Sequence, residues 1–225
     1  MTTRTLNVNP GELSGIGMQN PLFISLDGLD GAGKSTQCRL LAEWLEGQGL
    51  PVTRCSDPGG TEIGDVLRGL LLDQRRHMTL ACEAFLFMAS RAQLTAEVIR
   101  PALAAGRTVV SDRFLLANVV YQGHAGGLDP DMVRSMCLLA TEGLEPDITF
   151  VLDLPIEQAM TRRQGPSDRM ENRAADFHAR VRAGFRAEAQ RRPDRIILLD
   201  AGQPVDKVHE RICREVDRLL HERNR

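Results

Sequence analysis

The sequence predicts an α/β domain, a parallel sheet with helices packed on both faces. Three observations predict it. Five short apolar runs alternate with stretches whose apolar residues recur at helical spacing, the pattern of strands buried on both sides. The first run, Leu22-Phe23-Ile24-Ser25-Leu26, leads into Gly28-Leu29-Asp30-Gly31-Ala32-Gly33-Lys34-Ser35-Thr36, after which Leu40, Leu41, Trp44 and Leu45 set a helix. That segment fits G-x-x-x-x-G-K-[ST], a phosphate loop, and a strand before it and a helix after it are what the motif requires. Finally, 225 residues with 42% hydrophobic and 26% charged side chains suffice for one domain with a sizeable core.

The spelling of the loop follows from its chemistry. A polyphosphate needs many converging donors, and backbone N–H groups converge only where side chains leave room. Gly28, Gly31 and Gly33 leave that room, with Asp30 and Ala32 between them. Lys34 adds a mobile cation for the β- and γ-phosphates, and the Ser35 hydroxyl offers a ligand to Mg2+. The helix beginning around Ser35-Thr36 points its positive end at the same phosphates.

The remaining elements follow in order. Residues 1–20 are polar and Gly-rich and read as a flexible leader, leaving 21–225 as a single domain. The first helix ends near Gly47-Gln48-Gly49, and Pro51 to Cys55 is the second strand. Ile63, Val66, Leu67, Leu70 and Leu71 set a short helix. A longer helical pattern runs from Leu80 to Leu103, with Pro101 expected to break or kink it. Thr108 to Ser111 is the third strand, and Asp112-Arg113 stands at its carboxyl end. A helical segment then carries Asn118, Tyr121 and Gln122, and Asp129-Pro130 opens another helix. Ile148 to Asp153 is the fourth strand. Residues 162–173 are dense in charge with no apolar face and read as a mobile lid. Phe177, Val181 and Phe185 mark a helix, Arg195 to Asp200 the fifth strand, and a last helix follows Pro204.

Composition excludes several classes of function. A net charge of -2 advertises no field for nucleic acid or an anionic membrane. The five cysteines form no C-x-x-C pair and no zinc spacing, as in a reducing, cytoplasmic setting. No run is long and apolar enough to span a bilayer, and the N-terminal stretch lacks a signal pattern. There is no N-K-x-D sequence of the kind that reads guanine, and the chain is short for a motor ATPase. Arg68, Arg91, Arg113 and Arg169 occupy loop and helix-end positions where they could clamp a second phosphate-bearing substrate. On these residues alone three readings stay open: a nucleotide kinase, a kinase of nucleosides, and a nucleotide-binding regulator without turnover.

The motif set taken together is more restrictive. Asp57-Pro58-Gly59-Gly60-Thr61 with Arg68 follows the phosphate loop. Glu83-Ala84-Phe85-Leu86-Phe87-Met88-Ala89-Ser90-Arg91-Ala92-Gln93 comes next, then Ser111-Asp112-Arg113-Phe114 and Val120-Tyr121-Gln122-Gly123. Pro146-Asp147-Ile148-Thr149-Phe150-Val151-Leu152-Asp153, Asp168-Arg169-Met170-Glu171 and Val181-Arg182-Ala183-Gly184-Phe185 complete it. In this order the segments resemble the bacterial thymidylate kinases over nearly the whole chain after the leader.

The resemblance implies the three-layer P-loop NTPase fold of nucleoside monophosphate kinases, a five-stranded parallel sheet flanked by helices with a lid. It implies transfer of the γ-phosphoryl of ATP, with Mg2+, onto dTMP to give dTDP, usually by a homodimer. Asp30 matches the residue near the sugar 3′-hydroxyl, Arg68 and Arg113 the clamps on the dTMP phosphate, and Ser35 and Asp112 positions at or near Mg2+. Phe87 matches the ring that stacks on thymine, Arg91 the donor to thymine O4, and Asn118 and Gln122 polar contacts to the base. Tyr121 matches the residue that crowds the sugar 2′ position. Lys34, Arg113, Asp57 and Arg169 are the expected catalytic set. Arg162, Arg163 and Arg169 lie in or beside the lid, and the lid motif points to Arg169 as the residue that meets the transferring phosphoryl group. One departure is plain: Ser56-Asp57 stands where the family commonly has Arg-Glu, so the acid is kept but shortened.

Overall fold

The computed structural model describes residues 20–162 and 168–223. Most of the leader expected over 1–20 lies outside the described residues, as do Arg163 and the middle of the expected lid. The strands β1 (Phe23–Gly28), β2 (Val52–Ser56), β3 (Thr108–Asp112), β4 (Ile148–Asp153) and β5 (Ile196–Asp200) form one five-stranded sheet, every pairing parallel, in the order β2-β3-β1-β4-β5. The strands lie within two residues of the expected limits. β1 takes the centre because all six of its residues are buried.

Alternation along β1 separates two cores. Leu22, just before the strand, and then Ile24 and Leu26 pack with Leu41 and Leu45 of α1 (Lys34–Gly47) and with Val208, Ile212 and Val216 of α9 (Val205–Arg223). Phe23 points to the other face. There it packs with Met88 and Leu94 of α3 (Leu80–Leu94) and with Val133 and Cys137 of α6 (Pro130–Ala140). Its ring meets Phe114 edge-on, with centroids 4.8 Å apart.

The remaining helices are α2 (Glu62–Leu72), α4 (Arg100–Ala104), α5 (Leu115–Asn118), α7 (Ile156–Arg162) and α8 (Ala175–Arg191). α2 starts where the Thr61 hydroxyl accepts from Gly64 N at 2.9 Å, a side-chain N-cap. The helical pattern from Leu80 to Leu103 divides into α3, a wide π-helical turn over Thr95–Ile99, and α4. Pro101 has no N–H to give, and just ahead of it the ladder changes spacing: Arg100 N bonds back to Thr95 O. A second π-helical turn, Val119–Ala125, follows α5 and carries Tyr121 and Gln122.

The chain order reverses next to β1, which lies between β3 and β4. Ligands of open parallel sheets bind at such a switch point, outside the carboxyl ends of the strands. Gly28, Asp57 and Arg113 all fall at that edge: Leu26 pairs with Asp112, Gly28 with Leu152 and Ser56 with Asp112.

Candidate active site

The loop leaves β1 through Gly28, whose φ is 135° and where a Cβ would stand 2.6 Å from the Leu152 carbonyl oxygen. No other residue fits there without moving the strand. Gly33, left-handed at φ 96°, is the N-cap of α1. Lys34 is folded back on its own loop: Nζ donates to Leu29 O at 2.9 Å, to Gly28 O at 3.3 Å and to Asp30 Oδ1 at 3.4 Å. Ser35 Oγ donates to Asp112 Oδ2 at 2.5 Å, which joins the first turn of α1 to the end of β3.

Arg113 adopts a left-handed φ of 67°, a conformation costing about 1–2 kcal/mol for a residue with a Cβ. Two bonds hold it: Arg113 N donates to Leu26 O at 2.9 Å, and Ser111 Oγ donates to Arg113 O at 2.6 Å. The turn swings the guanidinium back to the loop, where Nη2 donates to Asp30 Oδ1 at 2.5 Å while Cζ lies 5.1 Å over the Tyr121 ring. Burial pushes the Asp30 carboxyl up, but Arg113 and Lys34, both hydrogen-bonded to it, outweigh burial and hold it well below the usual carboxylate range.

Arg91 and Asp57 form a buried ion pair, with side chains 1% and 0% exposed and Nε 2.6 Å from Oδ2. Burial pushes the Asp57 carboxyl above its ordinary value, and the Arg91 charge opposes this without cancelling it. The Arg91 guanidinium also donates to Phe114 O at 3.1 Å, Cys137 Sγ at 3.2 Å and Asn118 Oδ1 at 2.5 Å. Arg91 has only donors, so it fixes the orientation of the Asn118 amide. Asn118 Nδ2 and Asp57 Oδ1 find no hydrogen-bond partner among the described residues.

These groups border one cavity of about 490 Å³. From the loop it is lined by Asp30, Gly31, Gly33, Lys34, Ser35 and Thr36. From the far side come Asp57, Arg68, Phe87, Arg91, Asp112 and Arg113, together with Asn118, Tyr121 and Gln122. Of the residues expected in the site, Gly28, Ala32 and Arg169 are not among its described lining. Gly28 and Ala32 shape the loop from beneath. Arg169, expected to meet the transferring phosphoryl group, makes its contacts with α2 and α3. Its Nη1 donates to Glu83 Oε2 at 2.6 Å and its Nε to Leu71 O at 2.7 Å, while Nη2 is buried with no hydrogen-bond partner among the described residues.

On the lid side the sequence offered Arg162 as a candidate and gave no role to three further lining residues. Arg162, Asp168, Met170 and Glu171 border the cavity from the lid side. Burial, aided by the Glu171 and Asp30 carboxylates, pushes Asp168 above its ordinary value. Asp168 and Glu171 were visible as motif letters, but nothing in their spacing said which way they faced.

Among the described residues no group of three or more His, Cys, Asp or Glu side chains could hold a metal ion. The adjacent oxygens of Ser35 and Asp112 beside the phosphate loop nonetheless fit Mg2+, a hard cation. It is usually held by one or two carboxylates together with substrate phosphates and water.

Asp27, one residue before the loop, is fully buried, and neither carboxyl oxygen finds a partner among the described residues. Burial raises it from 3.8 to about 7, against the attraction of Arg113 and Lys34. A raised folded value means that the native state holds this proton while the unfolded chain has released it. The stabilisation is therefore complete below 3.8 and is lost as pH rises through about 7. Asp27→Asn has nothing to titrate, so its Tm relative to wild type should climb between roughly pH 4 and pH 7 and level off above. A Tm difference that stays level across that range would show that Asp27 titrates alike in both states.

A strand, glycine loop and helix at the switch point of a parallel sheet share one cavity with Arg68, Arg91 and Arg113. That arrangement defines a phosphate-loop kinase of small molecules. Residues 26–212 match the family model described as thymidylate kinase. The thymidylate kinase of Rhodopirellula baltica is 46% identical over 191 residues, 85% of this chain and 78% of that protein. That of Chlorobium chlorochromatii is 41% identical over 212 residues, 88% of this chain and 96% of that one. The solved thymidylate kinase of Ehrlichia chaffeensis matches with a TM-score of 0.72 at 28% identity, covering 88% of this chain and 99% of that chain. The chain belongs to the thymidylate kinase family.

Proposed function

We propose that the chain transfers the γ-phosphoryl group of ATP to dTMP, giving dTDP. One observation carries the reading: the loop's Lys34 and Ser35 and the Arg113–Asp30 pair border the same cavity. A phosphate donor and a phosphate-bearing acceptor can therefore meet there. Lys34 leaves its loop carbonyls for the donor's β- and γ-phosphates. Mg2+ held at Ser35 and Asp112 would neutralise charge on those phosphates. Arg113 and Arg68, whose Nη1 now rests on Pro58 O at 2.6 Å, clamp the acceptor phosphate, and Asp30 meets the sugar 3′-hydroxyl. The Phe87 ring stacks on the base. Asn118 Nδ2 and the Arg91 guanidinium present donors to its carbonyl edge, which suit thymine and oppose the amino group of cytosine. Tyr121, beside Arg113, disfavours a 2′-hydroxyl.

Residues 21–225 act in this reading as one kinase domain with 162–173 as its lid, working in the cytoplasm. Among the described residues no helix is long and apolar enough to cross a membrane. The test is ADP release from ATP-Mg with dTMP, thymidine and dCMP as acceptors. dTMP should be preferred by roughly tenfold or more over dCMP, and equal turnover of the two would sink the assignment of the base.

The active form is a homodimer. Ile63, Val66, Phe85, Met132 and Leu139 are exposed on α2, α3 and α6, where α3 packs against both of the others. Exposed apolar residues gathered on adjoining helices suit a subunit interface. Light scattering should return twice the chain mass, and a monomer at assay concentration would refute the dimer.

A further inference from the structure

Glu83 is 1% exposed and is not among the described residues lining the cavity, yet its carboxylate gathers three side chains. Oε1 accepts from Gln122 Nε2 at 2.8 Å, while Oε2 accepts from Arg169 Nη1 at 2.6 Å and Arg173 Nη2 at 2.8 Å. Gln122 belongs to the π-helical turn and lines the cavity. Arg169 and Arg173 bracket the segment whose Met170 and Glu171 also line it. Arg169 reaches on to α2, the helix of Arg68, through Nε to Leu71 O and backbone N to Leu72 O at 3.2 Å. On its own helix Glu83 lies one turn before Phe87, on the same face.

We infer that Glu83 is a positioning residue of the acceptor site, holding Gln122 and the 168–171 wall in register with Phe87 and Arg68. The inference rests on the acceptor site proposed above. The physical case is that residues 168–173 form neither helix nor strand. The segment is self-capped, with Asp168 Oδ1 accepting from Met170 N at 2.8 Å and Glu171 N at 2.9 Å. A cap shapes the turn but does not place it against the body. Placement comes from the buried Met170 side chain, from the bonds of Arg169 to Leu71 and Leu72, and from the two arginines on Glu83. Charge-assisted bonds out of water are strong and directional, and three of them on one carboxylate locate two pieces of wall at once.

The test uses the full chain with ATP-Mg and dTMP, comparing wild type, Glu83→Gln, Glu83→Asp, Arg169→Gln and the Glu83→Gln/Arg169→Gln double variant. Gln keeps the shape of Glu83 but turns one acceptor into a donor facing a donor. Glu83→Gln should raise KM for dTMP by roughly tenfold or more, with KM for ATP within about twofold of wild type. Glu83→Asp keeps the charge and should recover part of the loss. Because the two residues act as one unit, the double variant should be little worse than Glu83→Gln alone. Dissociation constants for dTMP, measured by calorimetry on the folded fraction, separate positioning from loss of fold. An unchanged KM and Kd for dTMP in folded Glu83→Gln, whatever its Tm, would overturn the inference. So would an equal rise in KM for both substrates. A wild type that neither binds nor phosphorylates dTMP would overturn the proposed function and this inference with it.

Discussion

Lys34→Ala should abolish phosphoryl transfer while leaving the protein folded. Lys34 is 6% exposed, and its ammonium is held by three oxygens of the phosphate loop. None of these is a bond on which the sheet depends. Removing the side chain leaves two loop carbonyls short of a donor, next to a cavity that water can enter. The structural cost is therefore about 1–2 kcal/mol, or a few degrees of Tm for a chain of this size. The catalytic cost is larger. A preorganised cation at the transferring phosphoryl is worth at least what one oxyanion donor is worth, roughly 10²–10³ in kcat. ADP release with ATP-Mg and dTMP, read beside a melting curve, separates the two effects. A folded Lys34→Ala enzyme with near-normal kcat would remove the phosphate loop from the mechanism.

Arg91→Gln should have the largest effect on stability, and an effect on selectivity as well. The substitution strands Asp57, which is fully buried with one oxygen already unpartnered among the described residues. Breaking a buried pair by removing one partner costs about 3–5 kcal/mol, on the order of 10 °C in Tm. Asp57→Asn/Arg91→Gln leaves no buried charge and should recover much of that loss, which a thermal-melt double-mutant cycle measures. At the site, Arg91 is the donor that fixes the Asn118 amide. Without it the amide can turn and offer Oδ1 to the base, an acceptor that cytosine's amino group can use. The ratio of kcat/KM for dTMP over dCMP should therefore narrow. An unchanged ratio, or a Tm within about a degree of wild type, would contradict the role given to this pair.

What could be read in the sequence and what could not divide along a physical line. Elements were legible wherever the pattern is local. The apolar runs became strands because each is buried on both faces, and the strand, glycine loop and helix can be assembled in only one way. Phe87 and Arg91 four residues apart placed both toward one cavity. Direction and long-range pairing were not legible. Arg91 finds Asp57 across 34 residues, and a donor expected at the base turns out to be held mainly by protein groups. The motif gives Arg169 its place along the chain but not its partner Glu83, 86 residues away. Glu83 itself looks in sequence like any acid in the first turn of a helix, where carboxylates favour the dipole. Only the convergence of Gln122, Arg169 and Arg173 distinguishes it. Asp27 shows the same limit: an acid at the end of a buried strand gives no hint that both its oxygens lack partners among the described residues.

In the proposed reaction the cavity joins a nucleoside triphosphate on the Lys34 side to a nucleoside monophosphate on the Arg113 side. The most direct test follows the label from γ-labelled ATP, with Mg2+, in a single turnover offered dTMP or thymidine. Label should appear in dTDP from dTMP and almost none in any product from thymidine, because Arg113 and Arg68 require a phosphate to clamp. Label passing to thymidine as readily as to dTMP, or appearing only as inorganic phosphate, would contradict the proposed reaction.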